Sequence, residues 1–320
     1  MGARFAVLLA AGATLLPAQP TKPEEDLPVI KVDVDLVNIL CSVRDRRNAL
    51  VANLTKDDFV VREDGKDQEI HHFTKETDLP MTVGMLVDVS RSQEALIQTE
   101  RSAASEFFRQ VLRPKDMAFL ISFGSEVELL QDFTGSVNLL RRGLDQLRVN
   151  SSVSGIHPGP VPTSSKPKGT VLHDAVYLAA NEKLRREVGR KTIIIISDGM
   201  DFGSHYKLEQ AIEEAHKSDA IIYSIYYVDQ RAYGGFMGAS DSALKKLSEE
   251  TGGRLFNVGR RQSLEDIFRE IQEEIRSQYS IGYVPTNANR DGGFRKVEIK
   301  TKNKDMKVQA RKGYFAQKPG

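Results

Sequence analysis

The sequence predicts an α/β fold: a doubly wound, mostly parallel sheet with helices on both faces, joined by a small β module built from the two ends of the chain. Three observations carry this. Four nearly continuous apolar runs, at residues 82–87, 117–123, 192–196 and 220–228, have the composition of strands buried on both faces of a parallel sheet. Helical periods at 94–112, 137–147, 171–187, 208–217, 242–250 and 264–277 lie between and after them, and strands alternating with helices mark a wound sheet. Outside this block the chain returns to the two-residue alternation of half-buried strands.

Taken in order, residues 1–19 place Arg4 before an apolar run of 5–16 that closes on Leu16-Pro17-Ala18-Gln19, the pattern of a signal peptide. That run is short of the ~20 residues a membrane-crossing helix needs, so a released protein is expected, with an uncleaved N-terminal anchor as the alternative. No lipid-accepting cysteine stands near residue 20. Residues 20–28, Pro-rich and acidic, read as a linker. Residues 29–43 alternate Val32, Val34 and Leu36 with Lys31, Asp33 and Asp35, as a strand with one buried face does. Strands at 59–62 and 69–73 follow, joined by the turn Glu63-Asp64-Gly65-Lys66.

Beyond the wound block, strands are expected at 279–284, 294–301 and 306–311, with turn-rich 286–293 between the first two. They need a partner. Residues 24–78 carry 14 acidic and 8 basic side chains (net −6), and residues 279–316 carry 3 acidic and 9 basic (net +6), so the two ends are expected to pack as one module with the α/β domain inserted between them. Two unrelated solvated charge biases are the alternative. Residues 151–169 form a long Ser/Pro/Gly-rich surface loop, and its position just before Thr170 favours a functional role.

Charge and cysteine content exclude several function classes. With 45 Lys and Arg against 44 Asp and Glu, the net charge of +1 gives no field to draw in nucleic acid or an anionic membrane. Cys41 is the only cysteine, which rules out an intrachain disulfide and a thiolate metal site, and reads as a small buried hydrophobe. His71 and His72 are adjacent on a strand and point to opposite faces, so they do not share a metal. No nucleophile elbow, phosphate-binding loop, dinucleotide-binding turn or HExxH helix is present, and the protein is read as not an enzyme.

The chemistry lies at the ends of the buried strands. Asp88-Val89-Ser90-Arg91-Ser92 follows the run 82–87 and opens a helix, so a carboxylate and two small hydroxyls leave the sheet edge together. Such a set suits a hard cation, since magnesium takes compact oxygen coordination and keeps part of its water. Thr170 follows Gly169 at another helix start, and Asp198 follows the strand run before Gly199; both fall on the same rim, outside the carboxyl ends of the strands.

DVSRS at 88–92, GTVLHDAV at 169–176 and IIIISDG at 193–199 resemble, in order and spacing, the three pieces of the metal-ion-dependent adhesion site (MIDAS) of von Willebrand factor type A domains. The resemblance covers residues 80–260. LTKDDFVVREDGK near the start, with YSIGYVP and RKGYFA near the end, also resembles a bacterial group of exported von Willebrand-factor-A-related proteins best known among acidobacteria. One departure is Lys168-Gly169-Thr170, where the family often has Gly-Gly-Thr.

The resemblance implies a Rossmann-like fold and a metal held by Asp88, Ser90, Ser92, Thr170 and Asp198, the last directly or through water. The metal is magnesium or manganese, and calcium would be tolerated. It further implies a secreted, periplasmic or envelope-located module for protein binding or cell adhesion. Its partner presents an Asp or Glu carboxylate to an open position on the metal. The expected organisation is signal peptide 1–19, linker 20–28, β module 29–79 and 279–316, von Willebrand factor A domain 80–260 and connecting helix 261–278.

Three other readings stand beside this. DVSRS alone suits a helix N-cap. A magnesium-dependent phosphate-ester hydrolase would use Asp88 as nucleophile, though Ser90 stands where a second Asp would be expected. A structural envelope scaffold would keep the motif as a vestige.

Overall fold

The computed structural model describes residues 36–75, 79–149, 169–229 and 240–316. The expected signal peptide and linker, the first residues (29–35) of the first expected strand and residues 151–168 of the expected loop before Thr170 lie outside these. The described chain begins with β1 (Val37–Arg44), then β2 (Phe59–Glu63), β3 (Lys66–Gln68) and β4 (Ile70–Lys75). The wound block runs β5 (Met81–Asp88), α1 (Ile97–Val111), β6 (Met117–Phe123), β7 (Val127–Thr134), α2 (Val137–Leu144), α3 (Leu172–Leu178), β8 (Arg190–Ser197), α4 (Leu208–Lys217), β9 (Ala220–Tyr226), α5 (Ser242–Thr251), β10 (Leu255–Asn257) and α6 (Leu264–Arg276). β11 (Tyr279–Tyr283), β12 (Phe294–Thr301), β13 (Lys307–Ala310) and β14 (Gly313–Phe315) close it.

The central sheet has the order β10-β9-β8-β5-β6-β7, parallel except for β7, which runs antiparallel along the edge beside β6. Every residue of β5 and β8 is buried, as the unbroken apolar runs require of strands covered on both faces. On one face α1, α2 and α6 bring Phe108, Leu140, Phe268 and Ile271 against Val87, Leu120 and Ile196. On the other, α3, α4 and α5 bring Val176, Ala215 and Leu247 against Leu86, Phe119 and Ile195. The predicted helix at 171–187 is α3 continued by a π-helical turn, Ala179–Leu184. The expected connecting helix is α6, whose Leu264, Ile267, Phe268, Ile271 and Ile275 sit in the core of the α/β block.

The two ends of the chain interleave in two antiparallel sheets, β13-β1-β11-β4 and β14-β12-β2-β3. Ile39, Cys41, Val61, Tyr279, Ile281 and Val297 form a core of their own there. The single hairpin expected from 59–62 and 69–73 is divided. β2 turns at Asp64-Gly65 into β3, whereas β4 pairs with β11 in the other sheet, because β11 offers its edge to Phe73 and Thr74. Sequence reading did not foresee β7, β10 or β14.

Glu274 of α6 is wholly buried and joins this module to the α/β block. It accepts from Arg44 at 2.6 Å and Ser42 at 3.1 Å on β1, and from Arg254 at 2.8 Å ahead of β10.

Candidate metal centre at the carboxyl edge of the sheet

β5 and β8 are neighbours, so their carboxyl ends release Asp88 and Ser197 side by side. Ser197 donates its hydroxyl to Asp88 Oδ2 at 2.6 Å, and the Ser90 N–H reaches Asp88 Oδ1 at 2.9 Å. Ser90 and Ser92 share a hydrogen bond of 3.0 Å between hydroxyls, and Ser92 donates to Asp198 Oδ2 at 2.5 Å. The Met200 N–H holds Asp198 Oδ1 at 3.1 Å. Four of the five predicted side chains thus lie in one hydrogen-bonded chain. The DVSRS segment turns through a short 3-10 helix, Arg91–Gln93, before α1, which aims both serines back at the strand ends.

Thr170, the fifth, is placed by its backbone. Its carbonyl accepts from the Phe202 N–H at 2.9 Å, and the next N–H, of Val171, binds the carbonyl of Gly124 beyond β6 at 2.9 Å. Its hydroxyl makes no hydrogen bond to the other four. Asp201 takes the His173 N–H at 3.1 Å, and Asp174 takes the Tyr206 N–H at 2.9 Å. Asp174 and Asp201 therefore staple the loop after Asp198 to the start of α3. Two glycines permit this packing: a Cβ on Gly199, at φ +77°, would come 2.1 Å from the Ser240 carbonyl oxygen, and one on Gly169 would come 2.5 Å from Phe202 Cβ.

The electrostatics of the rim are unfavourable without a cation. Asp88 and Asp198 are both 0% exposed. Burial first, and the Asp198 charge second, push the Asp88 carboxyl up to about 7, against the opposing hydrogen bonds from Ser197 and Ser90. Among the described residues Asp88 has no ion-pair partner. Two buried carboxylates with hydroxyl oxygens between them, and no sulfur or imidazole in the set, match a hard divalent cation. No group of three His, Cys, Asp or Glu side chains suited to a metal occurs among the described residues, and the candidate set here is two carboxylates with hydroxyls.

Sequence reading missed Ser197 and Glu100. Ser197 is the one polar residue closing the run IIIIS, and that position was its signal. Glu100 occupies the apolar face of α1, in step with Ile97, Ala103, Ala104 and Phe107, and is 0% exposed.

No protein-family model matches the sequence, and no curated protein does. Solved structures resemble it in fold. BatB from Bacteroides thetaiotaomicron is 15% identical, covering 61% of this chain and 97% of its own at a TM-score of 0.45. The VWA domain of SpRpn10 is 14% identical, covering 60% and 95% at 0.41. Proximal thread matrix protein 1 from the mussel byssus, solved with a zinc-occupied MIDAS motif, is 14% identical; the match covers 65% of this chain and 48% of that one, at 0.48. The order and direction of the strands give the α/β block a von Willebrand factor A-like fold, inserted in a β module formed by the chain ends.

Proposed function

We propose that this protein is an extracytoplasmic interaction module that uses a divalent cation, magnesium or manganese, to take up an acidic side chain of a partner protein. The observation that carries the proposal is the convergence of Asp88, Ser90, Ser92 and Asp198 in one hydrogen-bonded chain around two fully buried carboxylates. Asp88, Ser90, Ser92 and Thr170 would hold the cation, with Asp198 as a direct or water-mediated ligand. A cation bound there supplies an electrophilic position that an outside Asp or Glu carboxylate can fill. Asp88 and Asp198 set the charge of the site, Ser197 fixes the orientation of Asp88, and the Asp174 and Asp201 staples hold Thr170 on the rim. The N-terminal sequence pattern supports export, and no helix among the described residues is long and apolar enough to cross a membrane.

Titration calorimetry of Mg²⁺ and Mn²⁺ into the wild type and an Asp88→Ala, Ser90→Ala variant tests this. One ion bound by the wild type and none by the folded variant is the expected result. Absence of binding by both would overturn the reading.

A further inference from the structure

Glu100 has no role in the site as described. It lies in α1 at 0% exposure, and neither carboxyl oxygen has a hydrogen-bond partner among the described residues. An isolated buried carboxylate is costly, and such a group in a folded protein calls for a reason. The charges acting on Glu100 are those of Asp88 at the end of β5 and Asp198 after β8, both acids. Tyr227, one residue past β9, interacts with it electrostatically, its own phenol raised by burial and, in lesser part, by Glu100, by Glu265 at the start of α6 and by Asp229. Arg101, the adjacent basic side chain on α1, is committed to the Leu147 carbonyl. Burial above all, then the two aspartates, hold the Glu100 carboxyl well above the ordinary range.

A second orphan acceptor lies in the segment that leads from the serine loop to Glu100. Gln93, also 0% exposed, gives its amide nitrogen to the Tyr227 carbonyl at 3.2 Å, and its Oε1 has no donor among the described residues. Buried acceptors lacking donors, in the field of two buried acids, are matched by added positive charge.

We propose that Glu100 is a third carboxylate of the cation centre, acting through space and not as a direct ligand: neutral in the cation-free protein, it ionises when the site is loaded. This rests on the cation site proposed above. On loading, the carboxyl O–H bond breaks, the oxygen keeps the electron pair and the proton passes to the solvent buffer. Cation uptake is then coupled to the release of one proton from Glu100, and the new negative charge strengthens the hold on the ion.

The test is calorimetric titration of Mn²⁺ into the full chain at pH 6, in buffers of differing ionisation enthalpy, for the wild type, Glu100→Gln and Glu100→Met. The wild type should release about one proton more per ion than either variant, and both variants should bind Mn²⁺ on the order of 10 to 100-fold more weakly, as with other residues supporting a metal site from outside its ligand set. Glu100→Met keeps the test open if the amide is not tolerated, since an apolar side chain of similar volume needs no partner. The wild type supplies the control. If it binds no Mn²⁺, the site reading falls and this proposal with it. Equal proton release in wild type and variants refutes the role of Glu100 alone, whether or not affinity changes.

Discussion

Asp88→Asn is expected to stabilise the cation-free protein at pH 8 while abolishing cation binding. Asp88 is fully buried, and its carboxyl is raised from 3.8 to about 7 by burial and by Asp198. A raised carboxyl means that the folded state keeps a proton which the unfolded chain gives up between pH 3.8 and about 7. Its cost to stability therefore grows as pH rises through that window and levels off above it. At about 1.4 kcal/mol per pH unit the span comes to about 4 kcal/mol, a large share of the 5–15 kcal/mol typical of folded proteins. Asn removes that cost but accepts from only one of the two donors, Ser90 N–H and Ser197 O–H, a loss of about 1 kcal/mol. The net gain is thus about 3 kcal/mol at pH 8, shrinking toward pH 5. Urea unfolding in the presence of a chelator, at both pH values, measures it as the difference between wild type and variant. Excess Mg²⁺ should restore the wild type by about 2.7 kcal/mol at a hundredfold over Kd and leave the variant unmoved. A variant less stable than wild type at pH 8, or a difference independent of pH, would refute the account of the site as electrostatically strained.

His216 works in the opposite direction. It is 4% exposed and its imidazole is lowered from 6.5 to about 4, burial being the main cause, so stability is intact above pH 6.5 and falls by about 3 kcal/mol as pH drops through 4. His216→Leu should abolish that acid-side loss in chelator, read against wild type because Asp88 tilts the curve the other way. Gly199→Ala places a left-handed Cβ 2.1 Å from the Ser240 carbonyl oxygen and should cost about 2 kcal/mol or more, seen as a lowered thermal midpoint. Glu274→Ala leaves buried Arg44 without its 2.6 Å partner, with Glu270 at 3.3 Å as partial relief; a loss of about 3 kcal/mol in urea unfolding is expected.

Buried strands and clearly amphipathic helices were legible in the sequence. β6 and α4 fall on the residues that their apolar patterns predict, and β5 and β8 extend theirs by one or two positions at each end. β7 was not, because an antiparallel edge strand carries weak alternation: it exposes Leu129 and buries none of its eight residues fully. β4 leaves β3 because it meets the distant edge of β11 while β3 stays on β2, and local periodicity holds no record of that. The rim motif was legible because small oxygen-bearing residues crowd a strand end. Glu100 was not, since it looks like any solvated glutamate until α1 is laid on the sheet, whereas Ser197 carried a signal, as the polar close of IIIIS, that the sequence reading passed over.

That placement explains why the site sits where the frame is stiffest. Asp88, Asp198 and Glu100 are three buried acids whose charged forms oppose one another, and such a group persists only if its surroundings fix it. β5 supplies this, hydrogen-bonded along its length to β6 and β8 and covered by helices on both faces. α1, which carries Glu100, is in turn pressed by α6 through the stacked rings of Phe107 and Phe268, 4.7 Å apart. α6 is then tied by Glu274 to Arg44 of β1, so the module made from the chain ends bears on the helix beneath the cation rim. The repulsion can relax by protonation or by a cation, whereas displacement of Glu100 would have to disturb the core that α1 shares with α6.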